Sequence, residues 1–377
     1  MILPGGTLGI LGGGQLGRML CLEARRMGYR TLVWSGSEVA EPTAGVADEV
    51  ILKPFSDESS LRYFTEQVDA ATVEFENIDH DVLRAVDQAV GLHPRPEAVA
   101  ICQNREREKL FLQSQGIPCA PFRVIENTEQ LAAGVAELGG KGVLKTAAFG
   151  YDGKGQVRVQ AGMDWEQVWA DFDFPRAVLE KWIPFELEIS VMVARGADGA
   201  MVVYDVAENV HREHVLDYSI VPARIESEIA DKAQELAKKL AAGLEYRGIM
   251  GVEFFVSKED GLLVNEMAPR PHNSGHHTMD ACATSQFEQQ LRAVMGLTLG
   301  DTKLLSPVVM LNLLGDLWRG EGLFDKLAQD EAATWHIYGK SSSHGLRKCG
   351  HANFLGDDAL ARATTLKEGV LGTPVES

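Results

Sequence analysis

The sequence predicts an α/β domain followed by α+β segments, a chain of three parts rather than one. Three observations carry this. Residues 7–78 alternate short apolar runs with a helical stretch and turns, the pattern of a parallel sheet with crossovers. Residues 141–160 place two short strands around a glycine-rich loop, and residues 226–267 read as a long amphipathic helix followed by a hairpin. At 377 residues the chain can bury two or three cores.

Taken in order, TLGILG (7–12) is a buried strand running into a glycine turn, and QLGRMLCLEARRMG (15–28) is the helix after it. YRTLVW (29–34), DEVILKP (48–54) and AATVEFENI (70–78) are further strands. The prolines of HPRPE (93–97) mark a boundary, and REREKLFLQSQGIPCAP (105–121) gives one helix closed by Gly116 and Pro118. AVLEKWI (177–183) is a strand, while ELEISVMVAR (186–195) and GAMVVYDVAENVH (199–211) form a hairpin. The helix over 226–243 repeats Ile229, Ala233, Leu236 and Leu240 on one face. A later helix, Gln286 to Met295, starts at a capping box of Ser285 with Glu288 and stops at Gly296. The expected domains are 1–100, 101–183 and 184–377, the middle one a small lid and the last carrying basic residues in a terminal extension.

A formal charge of −18 excludes a polyanion as the main partner, because nucleic-acid binding needs a net basic face. A local cluster of Lys and Arg can still receive a phosphorylated small molecule. Cys21, Cys102, Cys119, Cys282 and Cys349 are scattered, which suits reduced thiols in a cytoplasm rather than a disulfide framework. No apolar run approaches the roughly 20 residues of a membrane span, and the glycine-broken N-terminus lacks the basic start of a secretory signal.

Two glycine loops invite a phosphate. The first, GGGQLG (12–17), has G-x-G-x-x-G spacing between a strand and a helix. A dinucleotide site also needs an acid at the end of the second strand, and Ser35 and Gly36 stand there, which argues against NAD and leaves a dehydrogenase a distant third reading. Two readings of this loop stay open, a small-substrate phosphate site or a tight turn. The second loop, LKTAAFGYDGKGQ (144–156), sets Lys145 and Lys154 around Gly150, Gly153 and Gly155. Backbone can approach phosphate oxygens there while the lysines neutralise them.

The hairpin GVEFFVSKEDGLLVNEM (251–267) carries two carboxylates. A turn centred between Glu259 and Asp260 places Val256 opposite Leu263 and Glu253 opposite Glu266. Directly paired residues share one side of the sheet, where two carboxylates repel unless a cation lies between them. With Asn265 beside them they suit Mg²⁺ carrying nucleotide phosphates. His272, His276 and His277 follow in an irregular segment, and zinc is the weaker reading there.

Together, the Lys/Gly-rich hairpin, LEKWIPFELE (179–188) and the paired glutamates resemble the ATP-grasp superfamily. More narrowly, GGGQLGRM, EFENI, GYDGKGQ and NEMAPRPHNSGH resemble the 5-(carboxyamino)imidazole ribonucleotide synthetases, in order along nearly the whole chain. The resemblance implies an ATP-grasp fold with a Rossmann-like first domain. It implies ATP on Arg105, Lys145, Gly150, Tyr151, Asp152, Gly153, Lys154, Gly155, Gln156, Glu180, Lys181, Trp182, Ile183, Glu188 and His211. Asn265 and Glu266 would join that set, and Mg²⁺ (or Mn²⁺) would sit on Glu253 and Glu266. Aminoimidazole ribonucleotide would meet Gln15, Glu76, Tyr151, Asp152, Lys154, Arg270, His272, Lys340 and Arg347. Catalysis would rest on Asp152, Lys154, Arg270, Lys340 and Arg347, with Asp152 orienting the amine or taking its proton. Bicarbonate is the remaining substrate; a cytoplasmic homodimer and hand-off to a mutase are further implications. The sequence departs from the family pattern at Phe149, Lys154, His214 and His277. A formate-dependent glycinamide ribonucleotide transformylase is the nearest other reading. A nucleotide sensor, from a different class, would have no need of Lys145 and the Glu253/Glu266 pair.

Overall fold

A computed structural model describes residues 1–39, 42–147 and 155–371. Strands β1 (Thr7–Leu11), β2 (Arg30–Gly36), β3 (Glu49–Pro54) and β4 (Ala70–Val73) form a parallel sheet in the order β3-β2-β1-β4. Strands β1 and β4 are almost wholly buried, which is why they read as unbroken apolar runs. Helices α1 (Gln15–Arg26), α2 (Glu58–Gln67) and α3 (His80–Val90) complete this layer. The prolines at 93–97 lie at the start of a helix. Pro96 is the first residue of helix α4 (Pro96–Gln103), where its missing N–H costs nothing. Helix α5 (Arg105–Ser114) follows at once, capped by Asn104, whose side chain accepts from the Arg107 N–H.

A small antiparallel sheet has the order β5-β8-β6-β7, from β5 (Phe122–Ile125), β6 (Lys141–Thr146), β7 (Gln156–Gln160) and β8 (Ala177–Lys181). Helices α6 (Thr128–Glu137) and α7 (Trp165–Phe172) cover one face of it through Leu131, Val135 and Phe172.

The large sheet holds nine strands. They are β9 (Leu187–Arg195), β10 (Met201–Val203), β11 (Ala207–Arg212), β12 (Val215–Val221), β13 (Gly248–Ser257), β14 (Gly261–Ala268), β15 (Val308–Leu314), β16 (Ala333–Ile337) and β17 (Lys348–Leu355). The main path is β14-β13-β9-β11-β12-β15-β17-β16, with β10 also on β9. The expected hairpin of 186–195 with 199–211 is present but interrupted. β10 and β11 both pair with β9, and the register slips by one residue between Val203 and Ala207. Buried Tyr204 lies in the break, its hydroxyl donating to the Thr284 carbonyl at 2.8 Å.

Helix α8 (Ser227–Gly243) lays Ala233, Leu236 and Leu240 on this sheet. Beyond β14 come the short α9 (Thr278–Ala281) and α10 (Gln286–Met295), then α11 (Gly315–Trp318), α12 (Leu323–Ala328) and α13 (Ala359–Leu371). Ser285 caps α10 by accepting from the Glu288 N–H, and Gly296 ends it in the left-handed region. The Glu288 carboxylate turns instead to Arg26 and Arg292, tying α10 to α1. Phe287, Leu291 and Val294 share a core with Leu16, Met19 and Leu20, so the first sheet is docked on the large one.

Candidate active site

Strands β13 and β14 place Glu253 opposite Glu266, as expected, by an unexpected route. Val256 pairs with Leu262, Phe255 with Leu263 and Phe254 with Val264, one step off the predicted turn. A bulge then inserts Asn265 and restores the carboxylate pairing. Asn265 and Glu266 both line one cleft of about 610 Å³, with Glu253 beside them. An extra residue in a strand leaves its carbonyl without a ladder partner. Here the Asn265 carbonyl accepts from Lys109 Nζ at 3.3 Å.

Lys109 is fully buried and belongs to a charge cluster behind the cleft. Glu180, on β8, lies 3.1 Å from Lys145 Nζ, 3.3 Å from Lys109 Nζ and 3.7 Å from Arg105. Burial opposes ionisation of Glu180, but the three cations outweigh it and hold its pKa at about 2. Burial likewise lowers Lys145 to about 8, with Arg105 and Lys109 adding to this and Glu180 resisting it. Arg105 also reaches Glu266 at 3.6 Å, so the cluster runs to the carboxylate pair. Lys109 and Glu108 carried no local signal, because both lie on α5, far along the chain from their partners Glu180 and Met267. The Glu108 carboxylate accepts from the Met267 N–H at 2.7 Å and pins the end of β14.

Glycine is required where β7 begins. Gly155 has φ +71°, and a Cβ there would lie 2.8 Å from Thr146. Lys145 pairs directly with Gln156, so both share one side of the small sheet, and both line the cleft. Gly150, Tyr151, Asp152, Gly153 and Lys154 lie outside the described residues. The cleft is lined by Arg105, Lys145, Gly155, Gln156, Glu180, Lys181, Trp182, Ile183, Glu188, His211, Glu253, Asn265, Glu266 and His272. Lys181 donates to Asp260 at 2.7 Å, a contact from the small sheet to the β13–β14 turn. Arg158 lies over the Trp182 ring at 5.0 Å, and Phe185 stacks on Phe255 at 4.5 Å. Trp182 was among the residues expected from the resemblance; Arg158, Phe185 and Phe255 were not.

Glu253 is raised to about 8, first by burial and then by Glu266 and Glu188. Glu188 is raised to about 7, mainly by burial, and lies 3.4 Å from His211. Crowded carboxylates of this kind suit a divalent cation. Among the described residues no three His, Cys, Asp or Glu side chains converge on one point. The pair would therefore hold a cation with ligand oxygens and water filling the other positions, as Mg²⁺ prefers.

A second, smaller cavity shares Arg105, Thr146 and Glu266 with the first and reaches Glu76. Glu76 takes Arg270 bidentately, at 2.6 and 3.0 Å. Lys340 lies 5.8 Å from the Tyr338 ring, and Arg347 donates to Ser342. Neither of these two lines the cleft; Lys348 does. Gln15 opens α1. The glycine loop before it is already filled. Glu74 accepts from the Gly14 N–H at 2.6 Å and the Gly17 N–H at 2.8 Å, so a carboxylate occupies the place a phosphate would take. The phosphate reading of GGGQLG gives way to the tight turn.

Of the histidines just beyond β14, His272 is half-buried and lines the cleft. His272 Nε2 lies 3.6 Å from Glu253, and Gln286 brackets its backbone by accepting from the His272 N–H and donating to its carbonyl. His276 and His277 sit behind, in the core.

Three family models match: the ribonucleotide synthetase preATP-grasp domain over residues 6–103, the ATP-grasp domain over 110–287 and the phosphoribosylaminoimidazole carboxylase C-terminal domain over 308–364. The N5-carboxyaminoimidazole ribonucleotide synthase of Bacillus subtilis is 43% identical over 94% of this chain and 93% of its own. The chain belongs to the N5-carboxyaminoimidazole ribonucleotide synthase family. The synthase of Brucella melitensis is also 43% identical, over 92% of this chain and 96% of its own. Among solved structures, an ADP complex of an N5-carboxyaminoimidazole ribonucleotide synthetase superposes with a TM-score of 0.92 at 43% identity, covering 97% of both chains. The Aspergillus clavatus synthase with ADP and 5-aminoimidazole ribonucleotide superposes at 0.88 and 28% identity, covering 98% of this chain and 99% of its own. No helix among the described residues is long and apolar enough to cross a membrane.

Proposed function

We propose that this chain uses ATP and bicarbonate to carboxylate the exocyclic amine of 5-aminoimidazole ribonucleotide, a step of purine biosynthesis. The observation that carries the reading is the Glu253/Glu266 pair facing Lys145 and Arg105 across one cleft. Bicarbonate is a poor electrophile because it is anionic and lacks a good leaving group. Transfer of the γ-phosphoryl to a bicarbonate oxygen gives carboxyphosphate and ADP. The amine nitrogen then bonds to the carboxyl carbon, phosphate leaves and the amine gives up a proton. The side chains mainly position and neutralise. Lys145 and Arg105 bind the phosphates, with Glu180 holding both cations in place. Trp182, Phe185 and Phe255 enclose the base, and Glu188 with His211 meets the ribose. Mg²⁺ on Glu253 and Glu266 would offset phosphate charge when bound. Arg270, held by Glu76, and His272 face the carboxylated reactant, while Lys340 and Arg347 serve the substrate phosphate. Asp152 takes or orients the amine proton, with Lys154 beside it, as the family pattern suggests.

A cytoplasmic homodimer that delivers its labile product to a mutase belongs to the same proposal. The test follows labelled bicarbonate and ADP together, comparing aminoimidazole ribonucleotide with glycinamide ribonucleotide plus formate. One ADP per label fixed with the imidazole alone is expected. ADP release with only the second pair would make the chain a transformylase, and release with neither would make it a nucleotide sensor.

A further inference from the structure

Behind the cleft, four buried polar side chains with no part in the reaction above form one hydrogen-bonded file. Ser219 Oγ donates to Asn209 Oδ1 at 2.8 Å, and Asn209 Nδ2 donates to Ser190 Oγ at 3.0 Å. Ser190 Oγ donates to Ser274 Oγ at 2.7 Å, and Ser274 Oγ lies 2.9 Å from His272 Nδ1. Strand register puts them in line. Asn209 pairs directly with Ser219, and Ser190 sits opposite Glu253. None is more than 6% exposed.

The file has a direction. Asn209 receives at its oxygen and gives from its nitrogen, so Ser190, already an acceptor, passes its own hydrogen to Ser274. Ser274 then has its hydrogen left for His272 Nδ1. A second, longer contact reports on the same end but is too long to hold it without the file. The Ser274 backbone N–H also points at Nδ1, at 3.4 Å, where His272 caps the turn Asn273–Gly275. A backbone N–H can only donate, so Nδ1 is the bare nitrogen and the proton is on Nε2. That proton faces Glu253 and the cleft.

We propose that Ser219, Asn209, Ser190 and Ser274 are positioning residues that hold His272 as its neutral Nε2–H tautomer, so that it offers the carboxylated reactant a hydrogen-bond donor rather than a base. What stands before Nε2 rests on the carboxylation proposed above; the tautomer does not.

The test is ¹⁵N NMR of the full chain labelled at histidine, with the His272 signals identified by their loss in His272→Gln. A protonated Nε2 and a bare Nδ1 are expected at neutral pH. A protonated Nδ1 would overturn the proposal, and this spectrum needs no folded relay variant. In the relay, Ser190→Ala should give a mixture of tautomers and lower kcat about 10- to 100-fold, as loss of an outer-shell partner does, with KM for ATP unchanged. Ser190→Thr, which keeps the hydroxyl, should restore both. Wild-type tautomer and kcat in Ser190→Ala would also overturn it. If the wild type fixes no bicarbonate, the proposed function fails while the spectrum still decides the tautomer.

Discussion

Glu253 lies directly across the ladder from Glu266, yet its neighbour Phe254 lies across from Val264, not Asn265. The bulge adds an amide to the carboxylate pair without disturbing it. Removing Asn265 would leave a regular ladder in which the two glutamates still face each other. Deleting Asn265 should therefore weaken nucleotide binding but keep a cation-dependent rate, whereas Glu266→Gln should abolish it. A Mg²⁺ titration of ADP release separates the two; equal loss in both would refute the bulge's separate role.

Lys109 closes the bulge and neutralises Glu180 at once. Lys109→Met leaves a buried carboxylate short of one cation, a change that costs about 3–5 kcal/mol when a buried pair is broken. Urea unfolding should show it as a lower midpoint. A shift under 1 kcal/mol would mean Lys145 and Arg105 suffice for Glu180.

Glu74 occupies the first glycine loop through the Gly14 and Gly17 amides. Glu74→Ala should cost about 1–3 kcal/mol for the freed buried donors. It should also turn the helix start into an anion site, so that sulfate raises the melting temperature of the variant more than that of the wild type. Equal sulfate responses would show that the amides find another partner.

His277 is buried and donates from Nδ1 to the Ser274 carbonyl at 2.8 Å. Burial lowers its pKa to about 4, with the Ser274 bond resisting, against about 6.5 when unfolded. Between those values the unfolded chain binds the proton more readily, so this stability is complete above pH 6.5 and is lost as pH falls to 4. Asn at 277 can keep the N–H but has nothing to titrate. The stability gap between wild type and His277→Asn should shrink by up to about 1.4 kcal/mol per pH unit across that window. A gap that stays constant with pH would place the folded pKa near its ordinary value.

What was legible in the sequence was local. The parallel order of the first sheet, α8 with its apolar face, the strands around the second glycine loop and the Glu253/Glu266 pairing all followed from short-range pattern. The pairing was reached through a turn placed one residue off, since hydrophobic alternation cannot announce a bulge. Pro96 was legible as a break in the chain but not as a helix start, because proline at the first helical position and proline in a turn read alike. Glu74, Lys109 and the Ser190–Asn209 file stayed hidden for a common reason. Each acts through a partner at least 19 residues away, Lys109 on Asn265 being 156 apart, and no spacing rule connects them.

The unbroken ladder from β14 to β17 has a mechanical consequence. Glu266 and Lys348 stand on strands joined through β13, β9, β11, β12 and β15 by continuous backbone pairing. Their separation cannot widen without tearing that ladder. The small sheet is pinned to it through Lys181 on Asp260, and through backbone bonds of the connecting segments, Glu186 to Val256 and Val264 to Pro118. The frame that holds the carboxylates is therefore stiffer than its attachment to the small sheet.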